Sequence, residues 1–324
     1  MALRKRSARA LFLSLLLAAV AVFGFVAAGL ANGGSPAEGK ALASMPAAVP
    51  ADAAQPAVAG PSAARAVPAA WLGYSGRLRA VIDTPASLEA QLVADSIQSA
   101  AELQPGLHDL GIVTPDGDPF YVVSLLPYEQ KDGKRLNGYY VGNWPEKATT
   151  GRYAPPAGFI EVTPENESTP VSQSFKLQDF LTHDQQGVWP KVLVLKPKLV
   201  DKLELISAAL AERGLPSHLH VMSGFRTPQY NEQGVGPKGG RASMSRHMYG
   251  DASDVFVDEN GDGVMDDLNG DGRTTVADAQ VLFHVAESVE AAHPDLIGGL
   301  SPYPSNGVHG PFVHVDTRGF KARW

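Results

Sequence analysis

Two short segments near the C-terminus carry side chains whose types and spacing suit metal chemistry. The first segment, residues 245–254, contains His247 and Asp254, and the second, residues 312–316, contains His314. Both include strand-like sequence, in which alternate side chains lie on one face. His247 comes just before its strand, in a glycine-containing turn that can fold it back toward Asp254. Two imidazoles and one carboxylate are a ligand set of catalytic zinc, which leaves the fourth position to water.

Spacing alone leaves a second interpretation open, because an aspartate on a strand with a histidine nearby is usually structural. Asp316 lies on the same face as His314 and is well placed to accept a hydrogen bond that fixes the tautomer of a ligating ring. Cysteine is absent from the chain, so disulfides, thiolate zinc sites and cysteine nucleophiles are excluded. Any metal must be held by nitrogen and oxygen atoms.

An acidic, glycine-rich segment, residues 258–278, follows the first histidine–aspartate pair. Its second half has the spacing of an EF-hand calcium loop, although the acid at position twelve is aspartate, as in the dockerin variant, rather than glutamate. The first half repeats the start of the pattern without a clear acid at position twelve. A hydrated acidic loop without an ion is the alternative. The predicted calcium ligands are Asp258, Asn260, Asp262, Asp266, Asp267, Asn269, Asp271 and Asp278.

The elements that position these side chains follow from hydrophobic periodicity and from helix-ending residues. Pro197 opens a helix with a single apolar stripe, and Gly214 closes it. A second helix is predicted over about residues 276–292. Strands are predicted over residues 219–223, 252–257 and 312–316. The pattern indicates an α+β fold, in which a small antiparallel sheet with flanking helices carries the mononuclear metal site.

Four segments of the chain resemble a known family, the zinc D-alanyl-D-alanine carboxypeptidases and their hedgehog-like relatives. The match covers about residues 172–324 and is similar to the peptidoglycan-associated branch. The segments that carry it are Ser174-Phe175-Lys176-Leu177-x-x-Phe180, Ser223-Gly224-Phe225-Arg226, Ser245-x-His247-x-x-Gly250-x-Ala252-x-Asp254, and Phe312-Val313-His314-Val315-Asp316 followed by the C-terminal Trp324.

The resemblance implies roles for four residues of this chain. His247, Asp254 and His314 would bind zinc. Arg226 would pair with a substrate carboxylate or polarise the scissile carbonyl, a role that suits a planar and permanently charged guanidinium. A surface arginine after a strand is the alternative interpretation of Arg226.

The general base is a departure from the family pattern. Many members carry an acidic base three positions before the last zinc-binding histidine, where this chain has Pro311. His309 matches a position at which some members place a second histidine, and an imidazole can act as a base or stabilise charge near neutral pH. Asp251 and Asp316 are the other candidates, so the sequence leaves the base unassigned.

The N-terminus predicts export of the protein. Residues 1–9 carry four basic side chains and no acid, and residues 11–30 are an uncharged apolar run, which is the pattern of a signal sequence. As a helix, the run would span about 30 Å and could cross a bilayer. Residues 1–31 are therefore interpreted either as a cleaved signal peptide or as a membrane anchor.

The rest of the chain is divided by composition. Residues 32–70 are rich in alanine and proline and predict a disordered linker. Residues 71–170 are assigned to a separate mixed α/β accessory domain of unknown role. Residues 171–324 are assigned to the zinc peptidase-like domain, with the calcium loop at 258–278 as an insert.

These features together predict a hydrolase of the bacterial cell wall, in the periplasm or cell envelope. The expected activity is that of a metallopeptidase that cuts peptidoglycan stem peptides, either as a carboxypeptidase or as an endopeptidase. A metal-bearing wall-binding module without catalysis is the alternative. If residues 11–30 are not cleaved, they would hold the protein in the inner membrane. The net charge of −7 and the lack of basic, aromatic-interleaved patches argue against a nucleic-acid partner.

Overall fold

The computed structural model of the protein describes residues 65–66, 105–113, 119–145, 151–237 and 239–324. The predicted signal or anchor lies outside the described residues, as does all of the predicted linker except residues 65–66. Within the part of the chain that is described, no helix is long and apolar enough to cross a bilayer.

Strands and helices are numbered in chain order. The strands are β1 (Arg65–Ala66), β2 (Gly106–Val113), β3 (Pro119–Ser124), β4 (Leu126–Pro127), β5 (Arg135–Leu136), β6 (Tyr139–Tyr140), β7 (Gly158–Val162), β8 (Lys191–Leu193), β9 (Leu219–Ser223), β10 (Ala252–Val257), β11 (Gly299–Tyr303), β12 (Phe312–Asp316) and β13 (Ala322–Arg323). The α-helices are α1 (Pro197–Glu212), α2 (Pro228–Glu232) and α3 (Val276–Ala292).

A five-stranded sheet carries the predicted site, with the strand order β13-β11-β12-β10-β9. Its neighbouring strands are antiparallel, except that β13 joins β11 in parallel. Every residue of β10 and of β12 is buried, as expected for strands in the interior of a sheet. The predicted α+β class with small antiparallel sheets is confirmed, and the three predicted strands are β9, β10 and β12.

Two long helices support this sheet. α1 begins at Pro197 and ends before Gly214, whose positive φ of 69° suits a glycine just after a helix. α3 begins with a capping box between Thr275 and Asp278. α3 packs on β11 and β12, and α1 packs on α3. Both predicted helices are therefore observed, and together they cover strands that carry the site.

A second sheet joins residues on both sides of the boundary predicted near residue 170. β7 lies between β4 and β8 in an antiparallel arrangement. The indole N–H of Trp144 also donates to the backbone carbonyl of Met248, at 3.0 Å. The described part of the accessory region thus shares one hydrophobic core with the site-bearing sheet. A separate domain within residues 71–170 stays a prediction.

A buried lysine ties the two helices to the end of β12. Lys202 on α1 is fully buried, and its Nζ donates to Glu290 Oε1 of α3 at 2.5 Å. The same Nζ donates to the backbone carbonyl of Asp316 at 2.7 Å. A buried charge needs such partners because desolvation is costly. These bonds hold in place the strand end that carries Asp316.

Candidate metal centre

Strand register places two of the predicted metal ligands opposite each other. Asp254 on β10 pairs with His314 on β12 and, on its other side, with Ser223 on β9. A 3-10 turn at Arg246–Tyr249 brings His247 to the same place. That turn ends at Gly250, where φ is +69° and an added Cβ would lie 2.3 Å from the backbone oxygen of Val194. Only glycine satisfies both the conformation and the close approach.

The three predicted ligands present one atom each to a common point. His314 Nδ1 lies 2.9 Å from Asp254 Oδ1. His247 Nε2 lies 3.3 Å from Asp254 Oδ1 and 3.3 Å from His314 Nδ1. Ligands bound tetrahedrally at about 2.0–2.1 Å from a zinc ion lie roughly 3.3 Å apart. All three side chains are buried, so the group could hold a metal ion.

Each histidine uses its second ring nitrogen in an orienting hydrogen bond. His247 Nδ1 lies 2.7 Å from the carbonyl oxygen of Gly224, and His314 Nε2 lies 3.1 Å from Asp316 Oδ2. When these acceptors take the ring N–H, the opposite nitrogen of each ring is available to bind a metal ion. Asp316 is itself held by the backbone N–H of Gly299 at 2.7 Å and by Arg318 Nε at 2.8 Å. This geometry fits the orienting role expected of Asp316.

Burial and neighbouring charges set the protonation of the three ligands. Burial, aided by the charge of Arg226, lowers the pKa of His247 to about 4, so that ring is neutral near pH 7. Burial also acts to lower the pKa of His314, but hydrogen bonds to Asp254 and Asp316 outweigh it and raise that pKa. Burial alone would raise the pKa of Asp254, yet its contact with His247, the charge of Arg226 and the hydrogen bond to His314 hold that pKa well below its usual value. The carboxylate of Asp254 is therefore ionised near pH 7.

Arg226 contacts the carboxylate of Asp254. Its guanidinium forms an ion pair with Asp254 Oδ2, and its Nε donates to Ser223 Oγ at 2.9 Å. The arginine side chain is 12% exposed, so it borders the site from a nearly enclosed position. The positive charge of its guanidinium therefore lies directly beside the carboxylate oxygens of Asp254.

The candidate bases differ in how their polar atoms are engaged. His309 is bonded within its own loop, where Nε2 lies 2.8 Å from Asn306 Nδ2 and Nδ1 lies 2.8 Å from the carbonyl oxygen of Gly310. Asp251 is buried and receives both an Nε–H bond, at 2.9 Å, and a second contact from Arg246. Asp316 is likewise engaged, through a hydrogen bond with His314 and an ion pair with Arg318. None of the three is thereby identified as the base.

His183, to which the sequence pattern assigns no role, lies near Arg226. Partial burial of the ring and the positive charges of Arg226 and Arg241 lower its pKa, against a hydrogen bond to the backbone of Met222. A neutral imidazole here has the chemistry of a proton acceptor. His183 follows Phe180, the last residue of the first of the four family-like segments, and this position is the sequence signal that could have drawn attention to it.

The predicted calcium segment folds as two similar turns. Asp258 accepts the backbone N–H groups of Asp262 at 3.0 Å and Gly263 at 2.9 Å. Asp267 accepts those of Asp271 at 3.2 Å and Gly272 at 2.7 Å. The repeated Asp-x-Asn-x-Asp-Gly sequence thus gives a repeated local conformation.

Asp278, the acid at position twelve, is fully buried at the start of α3. One of its oxygens accepts the N–H of Leu268 at 2.9 Å, and the other accepts that of Thr275 at 2.7 Å. Its carboxylate therefore joins the second turn to the helix. The calcium assignment itself stays a prediction.

The fold and the site together define an α+β protein in which the five-stranded sheet carries a buried group of three side chains that could hold a metal ion. Among the described residues, His247, Asp254 and His314 are the group of three histidine or acidic side chains whose ligand atoms all lie within 4.8 Å of one another. Comparisons of the chain with protein-family models, with curated proteins and with solved structures found no match.

Proposed function

We propose that the protein is a zinc metallopeptidase that acts on peptidoglycan stem peptides in the cell envelope. The observation that carries the proposal is the geometry of the three ligand atoms, which lie 2.9 to 3.3 Å apart in a buried position. When bound there, zinc supplies a water of lowered pKa and polarises a carbonyl group.

The donor set and its outer partners support zinc in particular. Imidazole nitrogen with one carboxylate suits zinc better than calcium or magnesium, which prefer oxygen ligands. The carbonyl of Gly224 and the carboxylate of Asp316 orient the two rings, as acceptors commonly do around a catalytic metal. The sequence motifs that resemble the peptidoglycan carboxypeptidases include these same residues.

A residue that could stabilise negative charge in the reaction is easier to name in this chain than a general base. Arg226 lies beside Asp254 and is suited to stabilise the negative charge that develops on the scissile carbonyl oxygen of a bound peptide. His309 belongs to the loop that leads into β12, and we propose it as a base or stabiliser. Pro311 occupies the position of the family's acidic base. The proton acceptor therefore has to come from elsewhere in the site.

A non-catalytic wall-binding module is the second candidate function. It is favoured by Pro311, which has no side chain able to accept a proton, and by the arginine partners of Asp251 and Asp316. In that case the metal would stabilise the fold or the contact with the wall. The two candidates differ in one outcome, which is bond cleavage.

Mass spectrometry of purified muropeptides tests the proposal. Incubation with the zinc-loaded protein should release either D-alanine or a shortened or uncrosslinked stem peptide, and removal of the metal should stop it. The product mass then separates carboxypeptidase from endopeptidase action. Retention on peptidoglycan without any released product after long incubation would contradict the peptidase and favour the binding module.

We also propose that calcium binds residues 258–278 and stabilises the folded protein. Saturating calcium should raise the free energy of unfolding by roughly 2–4 kcal/mol, because the ion binds the folded loop and not the unfolded chain. Thermal melts after selective calcium removal and re-addition measure this. Asp267→Ala/Asp271→Ala should abolish the shift, whereas Glu212→Ala, an exposed acid outside the loop, should keep it. Equal shifts in both variants would refute the site.

A further inference from the structure

A row of cross-strand pairs runs across the five-stranded sheet and passes through the metal centre. Asp254 pairs with Ser223 on one side and with His314 on the other. His314 in turn pairs with Ser301 of β11. Residues paired in this way on neighbouring antiparallel strands project from the same face of the sheet. Ser301 therefore continues the site-bearing face beyond the metal group, toward β13.

Trp324 lies at the β13 end of this row. It directly follows β13, which pairs with β11, and its backbone carbonyl accepts a hydrogen bond from the Ser301 hydroxyl. The centroid of its indole ring lies 5.3 Å from that of the His314 imidazole. An aromatic side chain therefore lies beside a proposed metal ligand, whereas Arg226 borders the metal group from the opposite, β9 end of the row.

The indole ring of Trp324 is open to solvent and yet held in one orientation. The residue is 55% exposed. Its Nε1–H donates to the hydroxyl of Tyr303, and the guanidinium carbon of Arg318 lies 5.2 Å from the ring centroid. Arg318 is in turn paired with Asp316. A single exposed apolar residue is ordinary, but here the exposed surface belongs to a ring that is fixed next to a proposed metal ligand.

Apolar surface continues from the indole into the loop before β12. The rings of Tyr303 and Phe312 stack with their centroids 4.7 Å apart, and the ring of His309 meets that of Phe312 edge-on at 4.8 Å. Val308, which precedes His309 in this loop, is 92% exposed. The metal group thus has an apolar border on this side, whereas Arg226 makes the opposite border cationic.

We propose that Trp324 determines substrate specificity by contacting an aliphatic group of a peptide residue beside the scissile bond. This inference rests on the proposed peptidase function and names the part of the substrate that is recognised. A peptide that lies along the row, with its scissile carbonyl at the metal group, has polar atoms toward Arg226 and a methyl or methylene group against the indole. Such a group prefers the ring to water, because contact removes apolar surface of both from solvent. The 5.3 Å separation from the His314 ring favours this residue over more remote parts of the substrate.

Matched synthetic substrates test the proposal. The parent is a stem peptide that ends in D-alanyl-D-alanine, and each variant peptide has glycine in place of one residue that flanks the scissile bond, which the product masses locate. A methylene enclosed in an apolar pocket is worth about 10–200-fold in kcat/KM, so contact with a half-open ring should give the wild type about a fivefold preference for the parent over one glycine variant. Trp324→Ala should lose this preference and keep its zinc, and Trp324→Phe should keep most of the preference.

The substrate preference separates contact with the peptide from structural support of His314. A purely structural role would lower zinc content, or would lower kcat/KM by the same factor for every substrate, and would leave the preference intact. Phe320→Ala is the matched control, because it also removes an exposed aromatic ring near the guanidinium of Arg318, at 5.7 Å, and it should keep both zinc and preference. An active Trp324→Ala protein with the wild-type preference would overturn the inference and leave the proposed function standing.

Binding without cleavage gives a second readout of the same contact. Stopped-flow mixing of the full chain with the parent peptide, read before product forms, should change the tryptophan fluorescence, and Trp324→Phe should remove that change. A change that depends on Trp324, in a wild type that releases no product, would retain the contact and refute the peptidase. The absence of any such change in the wild type would overturn the contact itself.

Discussion

His247→Ala and His314→Ala are each expected to abolish stoichiometric zinc binding, whereas the wild type should hold one zinc per chain. Each substitution removes one of three converging ligand atoms, which leaves a histidine and a carboxylate to hold the ion. Loss of an outer partner of a metal ligand already costs about 10–100-fold in affinity. Loss of a direct ligand should cost more. Elemental analysis of the purified protein measures the zinc content.

Control variants make the result specific. His284→Ala removes a histidine on α3 whose side chain is 72% exposed, and it should retain full zinc. Asp316→Asn should weaken zinc by about 10–100-fold, because it alters the acceptor that orients His314. Full zinc content in both His247→Ala and His314→Ala would disprove the assignment.

The second large effect concerns the rate of peptide release. Arg226→Ala and His309→Ala should each slow product release about 100–1,000-fold, the usual cost of losing one preorganised stabiliser of a developing oxyanion. The assay is product release from muropeptides, followed by mass spectrometry. His309→Ala should keep its zinc, because the ring of His309 is hydrogen-bonded to Asn306 and Gly310 and not to a proposed ligand.

Arg226 needs a finer test because it contacts Asp254. Zinc content is therefore measured in parallel with the rate, and Arg226→Lys is compared with Arg226→Ala. Lysine keeps the positive charge but loses the planar guanidinium. If Arg226→Lys holds more zinc than Arg226→Ala but releases product just as slowly, the effect of Arg226 on the rate is separate from its effect on zinc binding. Arg213→Ala, an exposed arginine at the end of α1, serves as the matched control. If the wild type is active and His309→Ala is equally active, His309 has no catalytic role, and Asp251, Asp316 and His183 are tested next.

Much of the site-bearing fold could be predicted because it depends on neighbouring residues. The apolar stripe of α1, its proline start and its glycine end are all contained in one stretch of sequence. The capping box of α3 and the short buried strands β10 and β12 are equally local. Strand alternation also placed Asp316 beside His314 before any register was known.

The partners of the predicted residues could not be predicted in the same way. Arg226 and Asp254 are 28 positions apart, and their ion pair depends on the register of β9 against β10. Lys202 finds its partner Glu290 across 88 positions, through the packing of α1 on α3. No periodicity or motif reports such distances, because several registers and packings are compatible with the same local pattern.

The sequence by itself determined the types of ligand, their nitrogen and oxygen chemistry, and the helices and strands that carry them. Tertiary structure alone decided that His247, Asp254 and His314 present atoms to one point, that arginines engage the acids considered as bases, and that an aromatic ring lies beside one of the ligands. The physical reason is that side-chain identity and local backbone preference are properties of a few consecutive residues. Convergence of groups and the burial that shifts their pKa values arise only when the whole core is packed.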